Sequence, residues 1–268
     1  MPYKTSALMG AAAIAFTLAA AHAAPVMPDF ATIPTGWTTD RYDPNSFSNI
    51  GSFQGRSNVL GIGISNADSL NNRPAAYQYT FYNTQGKGYA LNAGTGSVLS
   101  ADLYIPSAWR DAANGNVRTD IWGVASDASN AVSDYPIIGF TNYGGPARLR
   151  VWDENLGGGA GAWVDLATAI NFDAWTSLAI DFTGTSFDYF VNNTAVFADN
   201  VINGSTEFSA VLMQAYNFGD PSLLNATPVD YVANWSNSQA AVVPEPATLA
   251  LFGIGLIGLG FGRHKRAS

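Results

Sequence analysis

The chain has 268 residues, of which 47% are apolar and 12% charged; it has no cysteine and a formal net charge of −8. That acidic balance repels nucleic acid and anionic lipid, so a DNA- or RNA-binding role is set aside, and disulfide and thiol chemistry go with the missing cysteines. Both histidines, His22 and His264, lie in terminal segments expected to be removed. Residues 24–243 then hold no Ser-His-Asp or Cys-His nucleophile, no usual zinc site and no histidine base, which leaves carboxylate chemistry or none.

Residues 1–23 have the layout of an export signal. Lys4 is the positive start, residues 8–21 the apolar core, and Ala21-His22-Ala23 the small-x-small cleavage pattern, with Ala24 as first mature residue. Residues 24–243 suffice for one domain with a sizeable core. They carry nineteen acidic and eight basic side chains, a net charge near −11, which suits calcium or a neutral sugar as partner.

Residues 25–70 are rich in Asn, Ser, Gly and Pro with isolated aromatics at Phe30, Trp37, Tyr42, Phe47 and Phe53, and predict an irregular lead-in with an edge strand at 59–64. Residues 76–82 alternate, with Tyr77, Tyr79 and Phe81 on one face, and predict a strand. Further strands are predicted at 97–105, 117–124, 136–140, 147–152 and 163–166, separated by turn material such as Asn114-Gly115-Asn116 and Gly144-Gly145-Pro146. No helical period of useful length interrupts them. The clearest signal is at 172–193, where two alternating runs flank Thr183-Gly184-Thr185. Leu178, Ile180 and Phe182 share one strand face and Phe187, Tyr189 and Val191 another, which predicts a hairpin. Strand-like segments follow at 195–198, 207–216 and 229–235.

Many short strands with Gly/Asn turns predict an all-β, two-sheet antiparallel sandwich. A tryptophan opening a strand, a polar turn, and a second strand ending in Val191-Asn192-Asn193 resemble the laminin-G and concanavalin A-like jelly rolls, over about residues 77–235. An immunoglobulin-like sandwich is the alternative.

The chain ends differently. Pro244-Glu245-Pro246 precedes an uncharged run, 248–262, and the basic cluster Arg263-His264-Lys265-Arg266. Fifteen residues reach only about 22 Å as a helix, against a hydrocarbon core of roughly 30 Å. This expected C-terminal hydrophobic helix, taken as transmembrane, therefore suits brief retention for processing better than a permanent anchor. The pattern resembles the PEP-CTERM sorting signal of Gram-negative bacteria, carried by Pro244, Glu245, Pro246, Arg263 and Arg266. The resemblance implies export machinery and an exosortase, a membrane transpeptidase, as partners. It also implies transient inner-membrane attachment and a destination at the cell surface or matrix of a bacterium that makes exopolysaccharide. An ordinary C-terminal anchor is the alternative. The chain divides accordingly into 1–23, 24–243 and 244–268.

Polysaccharide hydrolases with jelly-roll folds resemble one another in a strand bearing Glu-x-Asp-x-Glu, whose carboxyl groups flank the scissile bond. No such strand occurs: residues 24–243 contain only Glu154 and Glu207, and neither has a second carboxylate two or four residues later. A pair assembled across strands, such as Asp120 with Asp153, is the remaining route. Sugar binding needs an aromatic plane beside polar side chains. Trp122 and Trp152 fall out of phase with Ile121 and Val151 and in phase with Asp120 and Arg150, which makes these four a candidate glycan site; Trp109, Trp163, Tyr135 and Tyr143 have similar neighbours. The competing expectation for each tryptophan is core packing. Arg148 and Arg150, two apart on one strand face, could clamp an anionic sugar or meet nearby carboxylates. Oxygen-only ligation suits calcium, with Asp153, Glu154 and Asp165 as candidate ligands, although no regular Asp-x-Asn-x-Asp loop is present. The expectation is an exported, exosortase-processed, non-catalytic surface or matrix protein. Exopolysaccharide binding is the first alternative and a polysaccharide hydrolase or lyase the second.

Overall fold

A computed structural model describes residues 25–238. The expected signal helix, the C-terminal hydrophobic helix and the sorting tail lie outside the described residues. Among these, the strands are β1 (Trp37–Thr39), β2 (Ser46–Asn49), β3 (Leu60–Ile64), β4 (Thr84–Gly94), β5 (Ser97–Ile105), β6 (Arg118–Asp127), β7 (Val132–Asp134), β8 (Ile137–Thr141), β9 (Arg148–Asp153), β10 (Ala162–Asp165), β11 (Ala174–Phe182), β12 (Phe187–Val191), β13 (Thr194–Asp199), β14 (Ser205–Tyr216) and β15 (Tyr231–Asn237).

The hairpin forms as expected. β11 and β12 pair from Leu178↔Val191 to Phe182↔Phe187, and Gly184 in the turn takes φ +88°, which a side chain would resist. Leu178, Ile180, Phe182, Phe187 and Tyr189 are fully buried, so alternation has put both apolar faces on the core.

Two antiparallel sheets result. One has eight strands in the order β1-β4-β14-β6-β8-β9-β10, with β7 paired to β6; the other has seven, β13-β12-β11-β5-β15-β3-β2. Together they exceed the roughly seven to nine strands of an immunoglobulin-like sandwich. Ile121, Phe140, Val151, Val211 and Met213 of the first sheet pack against Leu60, Leu99, Leu103, Ile180 and Trp235 of the second. Trp235 on β15 donates its indole N–H to Thr119 Oγ1 on β6 at 3.0 Å, tying the sheets through the core. Tyr231 works alongside it, with its hydroxyl 2.8 Å from the carbonyl oxygens of Arg118 and Tyr216.

Three expectations are corrected. Residues 76–82 are not a strand: they run through two 3₁₀ turns, Ala75–Tyr77 and Thr80–Asn83, and the two residues that join them, with Tyr79 and Phe81 exposed rather than packed on a sheet. Residues 59–64 do not form an edge: β3 lies between β2 and β15 and is buried throughout. The transmembrane helix is also withdrawn. Among the described residues no helix is long and apolar enough to cross a membrane, and the run on which that expectation rested lies outside them.

Candidate functional site

The face of the eight-stranded sheet turned away from the core carries a second apolar cluster. It contains Trp122, Val124, Ile137 and Leu212, with Trp152, Trp163 and Ala210 against them, and is separate from the main core. Strand register explains its form. Leu212↔Trp122, Trp122↔Ile137, Ile137↔Trp152 and Trp152↔Trp163 are directly opposed, so one transverse row crosses β14, β6, β8, β9 and β10 on a single face. Two residues along each strand lies a polar row, Gln214↔Asp120↔Gly139↔Arg150↔Asp165.

The aromatic row is shaped as a hollow. Trp152 and Trp163 meet edge to face with ring centroids 5.2 Å apart, and both are half-buried. Gly161 permits this, since a Cβ there would fall on the Trp152 indole. With Trp122, Ile137, Tyr135, Arg118 and Glu154 they line a cavity of about 310 Å³. That is near the small end of the ~300–1,000 Å³ typical of ligand sites.

Guanidinium groups alternate with the rings. Arg118 lies 4.7 Å from the Trp163 ring centroid and 5.9 Å from that of Trp122, and Arg41 lies 4.6 Å from both Trp122 and Phe81. Arg150 stacks on Trp163 at 3.7 Å. Arg118 Nε donates to Asp120 Oδ2 at 2.6 Å, which leaves Asp120 Oδ1 buried without a partner. Gln214 Oε1 is likewise unpartnered, while its amide nitrogen donates to Asp40 Oδ2 at 2.9 Å. Burial pushes the Asp40 carboxyl up and the Arg41 guanidinium down.

One end of the hollow holds a carboxyl pair that spacing along one strand does not reveal. Asp134 from β7 lies close enough to Glu154, which follows β9, for the two carboxyls to influence each other, and Asn203 Nδ2 donates to Asp134 Oδ2 at 3.1 Å. Burial, followed by the charges of Glu154 and Asp199, raises Asp134 to about 7. Burial also raises Glu154. This pair holds a proton near neutral pH beside the aromatic hollow.

The other candidates are distributed as follows. Trp109 is buried in the main core against Phe140, 5.5 Å between centroids. Tyr143 packs on Phe218 at 5.0 Å, away from the aromatic row. Asp153 Oδ1 accepts from the backbone of Asn155 and Leu156, at 2.8 and 3.2 Å. Asp165 Oδ1 lies 2.7 Å from Arg148 Nε. Asp153 and Asp165 thus have different partners. Among the described residues no group of three or more acidic, His or Cys side chains is arranged to hold a metal.

Residues 242–266 match the model of the PEP-CTERM protein-sorting motif. The chain therefore carries this export signal, with exosortase as its processing partner and surface localisation as its outcome. No curated protein is detectably similar in sequence. Among solved structures, a chain from work on endo-acting O-glycanases of human gut microbes that initiate mucin breakdown aligns at 14% identity and TM-score 0.50, over 78% of this chain and 93% of its own. The carbohydrate binding module CBM66 from Bacillus subtilis aligns at 12% identity and TM-score 0.39, over 76% and 93%. A Bacillus licheniformis beta-glucanase aligns at 12% and 0.40, over 78% and 96%. At these identities the likeness establishes the fold, a jelly-roll β-sandwich, and nothing finer. The expectation of a non-catalytic protein is corrected on this ground, because the fold is shared with work on endo-acting glycanases. The missing Glu-x-Asp-x-Glu strand does not set catalysis aside either, since Asp134 and Glu154 meet across elements.

Proposed function

We propose that this is an exported, exosortase-processed surface protein of a Gram-negative bacterium, held briefly at the inner membrane, whose sandwich binds carbohydrate on the outer face of the eight-stranded sheet. The observation that carries the reading is the row Trp122, Ile137, Trp152 and Trp163, which gathers indoles outside the core around a cavity of ligand size. Sugars present apolar ring faces and hydroxyl edges. Indole planes take the first, while Glu154, Tyr135 and Arg118 supply polar atoms at the rim for the second.

A second reading, cleavage of the same ligand, is favoured by Glu154 at the rim, with Asp134 buried behind it and the pKa of both raised. A group that keeps its proton near pH 7 is suited to protonate a leaving glycosidic oxygen. Affinity electrophoresis of the full-length chain through gels containing the host's exopolysaccharide, with the polymer sized afterwards, tests both. Retardation with intact polymer supports binding, and shortened polymer supports cleavage. Unretarded migration with intact polymer counts against both for that polymer.

A further inference from the structure

The basic side chains of this acidic chain are unevenly placed. Residues 24–243 carry eight Lys and Arg against nineteen Asp and Glu. Four of the eight, Arg41, Arg118, Arg148 and Arg150, converge on the outer face of the eight-stranded sheet or on the lead-in that crosses it. Arg118 is matched by Asp120 at 2.6 Å and Arg148 by Asp165 at 2.7 Å. Arg41 has Asp40 at 3.5 Å, and that carboxylate also serves Gln214.

Arg150 is different. Among the described residues it forms no ion pair, its Nε is buried without a partner, and its guanidinium rests on Trp163. Burial lowers its pKa to about 9, helped by the charges of Arg118 and Arg148 and opposed by those of Asp120 and Asp165, neither of which forms an ion pair with it. A buried guanidinium whose nearest carboxylates are already paired with Arg118 and Arg148 is costly, and an arriving anion relieves that cost. Its planar fork matches the two oxygens of a carboxylate.

We infer that the site takes an acidic sugar, a ring bearing a carboxylate, with the ring against Trp163 and the carboxylate on Arg150, in preference to a neutral glycan. The inference rests on the reading that this face binds carbohydrate, and it names the chemical class of the ligand. The alternation of Trp163, Arg118, Trp122, Arg41 and Phe81 carries the same chemistry across the face, so a polymer with repeated carboxylates meets a further guanidinium beyond the first.

The test is calorimetric titration of the full-length chain, in a detergent without a sugar headgroup, with tetragalacturonate, its methyl ester and neutral laminaritetraose. The acid is expected to bind at least about tenfold more tightly than the ester, and Arg150→Gln to narrow that preference to about threefold or less. Arg41→Gln, on the lead-in, is expected to narrow it independently, so that misfolding of one variant does not decide the result. Equal binding of acid and ester, a preference intact in both variants, or no binding of the acid overturns the inference. If the neutral oligomers bind as tightly as the acid and Trp163→Ala abolishes that binding, the acidic inference falls while the carbohydrate reading stands; if no oligomer binds, both fall for these sugars.

Discussion

Gly139 lies on β8 between Asp120 and Arg150, and a Cβ at this position would fall on Asp120 Oδ1 and on the Thr119 carbonyl oxygen. Backbone is part of that clash, so rotation of a side chain does not relieve it. Gly139→Ala is expected to destabilise the chain by about 1–3 kcal/mol, read as a lower urea midpoint at unchanged slope. Asp134 makes a prediction of opposite character. Unfolded, an aspartate titrates near ~3.9, whereas native Asp134 keeps its proton to about 7. Between these values the native state binds more protons than the unfolded one, so the contribution of this group is full at the acid end and is lost as pH rises toward 7. Between pH 5 and pH 8 the melting temperature is expected to fall in the wild type by roughly 3–6 °C more than in Asp134→Asn. Parallel curves for the two proteins would contradict the assignment of the proton.

Among the elements, β6 depends on a neighbour that holds its entry. Asn142, fully buried just after β8, accepts from Val117 N at 2.8 Å and donates to the Trp109 and Gly115 carbonyls at 3.1 and 2.9 Å. This one side chain fixes the turns 107–116 and aims β6, with Asp120 and Trp122, across the sheet. Asn142→Ala leaves three buried backbone groups unpaired and is expected to cost about 2–4 kcal/mol, read by chemical denaturation. A loss under about 0.5 kcal/mol would show that the turns hold themselves.

The elements also show how far sequence carries. The β11–β12 hairpin was legible because its alternation is strict and Gly184 marks the turn. β4 was not legible: its residues Thr84–Gly94 include three glycines and little β-branching, and it becomes a strand only by pairing between β1 and β14. Residues 76–82 misled for the reverse reason, since aromatics that alternate toward solvent imitate a half-buried strand. At the candidate site, the phase of Trp122 against Ile121 and of Trp152 against Val151 separates two faces that register also separates. Arg41, Gln214, Phe81 and the Asp134–Glu154 pair carry no such signal. They reach the same face from segments far apart in the chain: Gln214 through the β14–β6 register, Asp134 through β7 beside β6, Glu154 from the end of β9, and Arg41 and Phe81 from segments between strands.

At the scale of the molecule, the chain combines an export and sorting address with a jelly-roll body that places its polar-aromatic chemistry on one sheet. The opposite sheet serves as an internal control. Its outer face carries Trp175, which is also half-buried, stacks with Arg56 at 5.1 Å and donates its indole N–H to Gln54 O at 3.0 Å. Aromatic residues alone therefore do not distinguish the two faces. Trp175 also lines a smaller cavity, of about 200 Å³, with Arg56, Asp102, Ser177 and Asn192; what distinguishes the eight-stranded sheet is its row of opposed indoles. The most direct measurement is the dissociation constant of the full-length chain for its host's exopolysaccharide, by calorimetry, in the wild type, Trp163→Ala and Trp175→Ala. Loss of stacking on Trp163 is expected to weaken binding by about tenfold or more, on the order of 1.4 kcal/mol, while Trp175→Ala shifts it by less than about twofold. Equal effects of the two substitutions, or a greater effect of Trp175→Ala, would contradict placement of the binding face on the eight-stranded sheet.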